Sequence, residues 1–118
     1  MPKIVIKDLG EIARGDAKNF KVRIKRNGAP MPLTGFTAIM TAKLNIDDAD
    51  TATTTIQVYG EIASPETGEI VFPMSSAQTE KEPNRYDGDV RLFDAAGRPW
   101  TPYKIKFEII PDYTRKRL

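Results

Sequence analysis

The sequence predicts an all-β protein: an immunoglobulin-like antiparallel β-sandwich of about seven strands, with one short helix between the fifth and sixth strands. Three observations predict it. Apolar side chains recur at every second residue in several separate stretches, the period of a half-buried strand. Turn-forming residues divide these stretches at a spacing of roughly ten residues, which fits a sandwich and not alternating strand–helix units. At 118 residues and 13.2 kDa there is room for one core. Residues 1–118 are therefore expected to form a single domain, with 1–8 and 111–118 available as extended arms.

An early strand is expected around residues 3–7. Residues 18–26 form the next, with Phe20, Val22 and Ile24 on one face and Lys21, Arg23 and Lys25 on the other. Asn27-Gly28 gives a turn, since both tolerate positive φ. Pro30 and Pro32 keep the following segment out of a sheet interior. Phe36, Ala38, Met40, Ala42 and Leu44 then alternate with polar residues, and residues 45–50 make a polar loop. Residues 53–62 read as one further strand, with Ile56, Val58 and Ile62 on one face and a threonine run that suits a pleated surface.

Residues 64–68 turn the chain into a strand carrying Ile70, Phe72 and Met74. Residues 75–82 are the one expected helix: Ser75 caps it, Gln78 completes a capping box, and Pro83 stops it. The last two strands form a hairpin. Tyr86, Gly88, Val90 and Leu92 alternate in the first, and Tyr103, Ile105, Phe107 and Ile109 in the second. A turn centred near Ala96 and Gly97 sets Asp89 opposite Lys104 and Asp87 opposite Lys106, which stabilises the ladder by about 0.2–1 kcal/mol per pair. The same register sets Phe93 opposite Trp100 on the outward face.

Composition narrows the function. There is no cysteine, so disulfides, thiolate metal sites and cysteine nucleophiles are excluded. There is no histidine, so the commonest general base and transition-metal ligand is missing too. The carboxylates are scattered over outward strand faces and turns, not paired. No catalytic residue, cofactor or metal is expected, and the protein is not expected to be an enzyme. Asp47, Asp48 and Asp50 lack the glycine and the bidentate glutamate of a calcium loop and read as a solvated loop. Arg14-Gly15-Asp16 reads as a turn before a strand.

Net charge is +2, too balanced to point to nucleic acid. No apolar run approaches the ~20 residues of a membrane span. The charged start of the chain has no signal-peptide core, so cytoplasmic synthesis and assembly are expected. The basic stripe Lys21, Arg23 and Lys25 reads as the wet face of a sheet. The candidate protein-contact residues are Phe93 and Trp100, two large aromatics near a hairpin tip, and the basic end Arg115, Lys116 and Arg117. Tyr86, at the start of the penultimate strand, is placed as the tyrosine corner of an immunoglobulin-type sandwich.

Four pieces together resemble a known family: Ile12-Ala13-Arg14-Gly15-Asp16, Leu33-Thr34-Gly35, Arg85-Tyr86-Asp87-Gly88-Asp89, and Ile110-Pro111-Asp112-Tyr113-Thr114-Arg115. Their order and spacing resemble the N-terminal domain of phage baseplate upper proteins, a type spread through tailed-phage and prophage structural proteins. Two departures stand out: Asn84-Arg85 precedes the tyrosine where the family often has glycine, and the chain stops where many relatives continue. The resemblance implies a non-enzymatic virion structural protein of tail, baseplate or capsid. It would act by self-association, as a homo-oligomer or in multiple copies, and by docking to other phage structural proteins, with no membrane and no nucleic acid among its partners. The alternative is a soluble immunoglobulin-like module that binds carbohydrate or a host protein through its end loops or through Phe93 and Trp100.

Overall fold

The structure is a computed structural model and describes residues 5–114, with only the backbone of Val5 described. Ten strands, a 3-10 turn and one α-helical turn follow in order: β1 (Val5–Ala13), β2 (Lys18–Arg23), β3 (Lys25–Arg26), β4 (Ala29–Pro30), β5 (Thr37–Lys43), β6 (Ile56–Tyr59), β7 (Glu61–Ser64), the 3-10 turn (Pro65–Thr67), β8 (Glu69–Met74), α1 (Ser76–Thr79), β9 (Asn84–Phe93) and β10 (Pro99–Ile110). They build a five-stranded sheet in the order β1-β10-β9-β5-β6, a three-stranded sheet in the order β2-β8-β7, and a small β3–β4 ladder. Among the described residues no helix is long and apolar enough to cross a membrane.

The expected alternation closes the sandwich. Phe20, Val22, Ile70 and Phe72 from the smaller sheet meet Met40, Val90, Ile105 and Phe107 from the larger in one core, every one of them buried. The rings of Phe20 and Phe107 lie 6.3 Å apart across the sheets, and Tyr86 stacks on Phe107 at 5.7 Å, separations at which aromatic pairs attract beyond simple area burial. Tyr86 is fully buried, and its hydroxyl donates to the carbonyl of Glu82 at 2.8 Å, the tyrosine corner expected of it.

Four elements differ from expectation, each for a local reason. The strand expected over 53–62 is two strands in two different sheets: β6 pairs with β5, β7 pairs with β8, and the chain changes layer at Gly60. A Cβ at Gly60 would sit 2.7 Å from Ile70 and 2.8 Å from Phe72, so the crossing needs the bare backbone. The strand expected over 18–26 ends at Arg23. Ile24 donates from its amide to Gly68, outside the β2–β8 ladder, and Lys25–Arg26 turn through Asn27 (φ 52°) and Gly28 (φ 80°) to pair with Ala29–Pro30.

The first strand is longer than expected and runs parallel to β10, a departure from an all-antiparallel sandwich. Its register shifts between Asp8 and Glu11, where Gly10 takes φ 81° and donates its amide to the Asp8 carboxylate at 2.9 Å. This bulge breaks the period of two and hides the second half of the strand, although Ile12 is buried. Residues 5–8, also considered as part of an arm, carry ladder partners on β10. The helix keeps its capping box, with Ser75 Oγ accepting from the Gln78 amide and Gln78 Oε1 accepting from the Ser75 amide, but lasts one turn. Thr79 then points inward and donates to the Asp16 carbonyl at 2.7 Å, tying the turn to the loop before β2.

Candidate docking face

The outer face of the five-stranded sheet is built from strand residues that point away from the core. Paired residues in neighbouring strands point the same way, so the register lays them in rows across the sheet. The central row is Ile6, Lys104, Asp89, Thr41 and Gln57. On one side of it lie Asp8, Lys106, Asp87 and Lys43, and beyond them Glu11, Glu108 and Arg85. On the other side lie Arg91, Ile39 and Tyr59, and then Phe93 between Pro99 and Thr37. One end of the face therefore mixes acids and bases, with Glu11 directly beside Glu108, and the other is apolar with Arg91 on it.

Between these ends the face is hollowed into a basin of about 580 Å³ whose lining includes Ile39, Thr41, Asp89, Arg91, Phe93 and Lys104. The loop after β5 forms its rim. Lys43 fixes that loop, with Nζ 2.8 Å from Asp50 Oδ1 and donating to the Asp48 carbonyl at 2.7 Å. The hydrogen bond and charge of Lys43 hold the Asp50 carboxyl below its ordinary range. Asp48 in turn accepts from the Asn45 amide and from the Thr54 hydroxyl. The acidic loop is thus engaged in its own structure, and among the described residues no three acidic side chains converge in a metal-binding arrangement.

Across the basin floor Gln57 donates to Thr41 at 3.1 Å, and Arg91 donates to Thr101 at 3.2 Å. The register sets Asp89 opposite Lys104 and Asp87 opposite Lys106, as the sequence predicts. Neither pair closes into a salt bridge among the described residues. Asp87 pairs instead with Arg85 at 3.1 Å, while Asp89 and Lys104 make no ion pair or hydrogen bond there through their side chains.

The other register prediction is overturned. Phe93 faces Pro99, and Trp100 faces Leu92, because the ladder shifts between Trp100 and Tyr103. Leu92 is fully buried, and Trp100 packs half-buried against the same core. Phe93 stays on the outer face in the basin. The two aromatics lie on opposite sides of the sheet and form no common platform. Arg115, Lys116 and Arg117 lie outside the described residues.

Sequence reasoning missed the residues that most distinguish this face. Among the described residues the exposed large apolar side chains are Ile46 (91%), Tyr59 (69%), Ile6 (65%) and Tyr113, and the first three lie on this face or its rim. The signal was an apolar residue at an outward position: Ile39 between Ala38 and Met40, Tyr59 after Val58, and Ile46 in an acidic loop. The opposite outer face, on β2, β8 and β7, carries Lys21, Arg23, Glu69 and Glu61, with Arg23 bonded to Glu69 at 3.3 Å and no large exposed apolar side chain. Apolar exposure collected on one face marks it as the docking candidate.

No protein-family model matches the chain, and no curated protein matches it. Among solved structures it is similar to the N-terminal domain of phage TP901-1 ORF48, with a TM-score of 0.54 and 12% identity, over 92% of this chain and 97% of that one. At that identity the likeness establishes the fold: a compact β-sandwich of a kind found in a phage protein.

Proposed function

We propose that the protein is a non-enzymatic structural component of a tailed-phage virion, in tail, baseplate or capsid, that acts by self-association and by docking to other virion proteins. The observation that carries this reading is the end-to-end likeness to a phage domain, covering nearly all of both chains. It is supported by the four motif pieces around Gly15, Gly35, Tyr86 and Thr114, which point to the same class by a separate route. Chemistry also favours it, because the docking face offers charged and apolar contacts without histidine or cysteine. Its partners in this reading are proteins of the particle, itself in multiple copies, with neither membrane nor nucleic acid involved, and its place is the virion.

Mass spectrometry of purified particles tests the proposal. The protein is expected among the virion proteins at a fixed copy number, and its absence from particles, with abundance in the infected cell, overturns the reading. The alternative, a carbohydrate-binding or host-protein-binding module, loses its aromatic platform with the separation of Phe93 from Trp100. It retains the end loops and the basin.

A further inference from the structure

We infer that copies of this chain associate head to tail, with the β1–β2 flank of one copy against the β6–β7 flank of the next. This rests on the reading of the protein as a self-associating virion component and names the surfaces and symmetry it uses. The sequence separates its charges in blocks: residues 17–43 hold six bases and no acid, and residues 44–80 hold seven acids and no base. Five of the six bases lie on β2 and β3, while Glu61 lies on β7 and Glu66 in the turn after it. β2 and β7 are the two outer strands of the smaller sheet, as β1 and β6 are of the larger. β1 leads into β2 through a short turn and β6 into β7 through Gly60 alone, so each flank is built from two consecutive strands.

Both edges carry unspent charge. Lys21, Lys25 and Arg26 on one flank, and Glu61 and Glu66 on the other, are exposed. Among the described residues none of the five makes an ion pair or hydrogen bond through its side chain. Asp8 and Glu11, the acids of β1, project from the outer face of the larger sheet, away from β2. The two edges also match in level. Lys21 pairs with Val71 and Val71 with Glu61, so the three lie in one row across the smaller sheet. β2 and β7 both run antiparallel to β8, hence in the same direction, and Lys25, Arg26 and Glu66 follow at the same end. A copy displaced sideways along that row sets its Glu61 beside Lys21, and its Glu66 beside Lys25 and Arg26.

The larger sheet adds apolar contact to the same displacement. Its exposed large strand side chains sit one on each outer strand, Ile6 on β1 and Tyr59 on β6. The row of Ile6 reaches β6 at Gln57, two residues before Tyr59, a step of about 7 Å that a tyrosine side chain spans. Charge selects the symmetry. A two-fold contact would lay β2 on β2, base against base, or β7 on β7, acid against acid, and like charges set opposite each other repel. Each edge suits the other instead, so the contact is heterologous and repeats. It closes into a ring where the rotation between copies allows and otherwise grows into a filament. An unrelated acidic partner would match the β2 edge but leave the acidic flank and Tyr59 unmatched.

Sedimentation velocity on the purified full chain, over a range of concentrations, tests the contact, with circular dichroism confirming that each variant is folded. The wild type is expected to form species larger than a dimer. Lys21→Glu, Glu61→Lys and Tyr59→Ser are each expected to weaken assembly about tenfold. Lys21→Glu and Glu61→Lys mixed together are expected to regain it, because the intact Lys21 of one variant meets the intact Glu61 of the other. A wild type that stays monomeric or stops at the dimer overturns the proposal. So does any of the three substitutions leaving assembly unchanged, or a mixture that stays as weak as its components. A monomeric chain that is still found in particles sinks this contact alone, while an assembling chain absent from particles sinks only the virion reading.

Discussion

The hydroxyl of Tyr103, on β10 of the larger sheet, donates to the main-chain carbonyl of Arg23 at the end of β2 in the smaller one, at 2.8 Å. This bond crosses the sandwich at the point where β2 leaves its ladder. Tyr86 makes the corresponding bond to Glu82 at the opposite end of the same sheet. Each phenol is buried, and each satisfies a carbonyl that has no strand partner, so the pair ties both ends of the fold. Replacing either by phenylalanine keeps the ring packing and removes one hydrogen bond. Tyr103→Phe and Tyr86→Phe are each expected to lower stability by about 1 kcal/mol, measured by urea unfolding; an unchanged midpoint in both would remove the tyrosines from the account.

The same two phenols set the alkaline limit. Burial raises the pKa of both above the ordinary value of 10.0, and the nearby charge of Glu82 adds to the effect at Tyr86. A group whose folded pKa is raised contributes its full stability below the unfolded pKa and loses it as pH rises through the folded one. Stability is therefore expected to hold up to about pH 10 and to fall above it. The double variant Tyr86→Phe/Tyr103→Phe should start lower and show a shallower alkaline decline. A decline of equal slope in both proteins would show that other groups control it.

Gly88 lies in β9 where it presses on β5. A Cβ there would collide with the Thr41 carbonyl oxygen and stand 2.7 Å from the Ala42 Cα. These are backbone atoms in a central ladder, and they cannot move without breaking it. Gly88→Ala is expected to cost about 3 kcal/mol or more. Gly97→Ala, at φ 82° but with open space around it, is expected to cost about 1–2 kcal/mol from backbone strain alone. Thermal unfolding of the two variants separates the effects, and equal losses would contradict the contact at Thr41.

Two other glycines, Gly10 and Gly60, mark where the sequence was hard to read. Alternation located the core faces of β2, β5, β8, β9 and β10, because one buried face per strand forces a period of two. It could not say that the strand through Gly60 changes sheet, since the apolar residues on both sides keep the same period. It missed the second half of β1, where the Gly10 bulge interrupts the pattern, and it carried the hairpin register one step too far past the irregularity after Trp100. The candidate face was half legible. Phe93 was found as an outward aromatic, whereas Ile39, Tyr59 and Ile46 became informative only once the rows were assembled.

That register shift has a consequence for Phe93 and Trp100. Trp100 packs against the core beside Leu92, so Trp100→Ala is expected to cost about 2 kcal/mol, less than for a fully buried aromatic. Phe93 lies in the basin on the outer face, so Phe93→Ala is expected to cost under about 1 kcal/mol. Chemical denaturation of both variants, run together, checks the division. If Trp100→Ala were the variant that spared stability, the observed register would be wrong.

Asp94 organises the turn between β9 and β10. Its Oδ1 accepts from the amides of Ala96 at 3.0 Å and Arg98 at 2.9 Å, and its Oδ2 accepts from the Arg98 guanidinium at 2.8 Å. The Arg98 amide is the largest single cause of a pKa held below the ordinary aspartate value, with the Arg98 side chain and the Ala96 amide adding to it. A depressed folded pKa contributes stability that is present above the unfolded value, about 3.9, and is lost as pH falls through the folded one. Asp94→Asn keeps one accepting oxygen for the turn amides and removes the charge together with the Oδ2 acceptor that meets Arg98. The wild type is expected to exceed Asp94→Asn in melting temperature by a constant margin from neutral pH down to about pH 4 and to lose that margin progressively below it. The other carboxylates titrate in both proteins and cancel in the difference. A margin that stays level into strong acid would mean that the charge on Asp94 does not hold this turn.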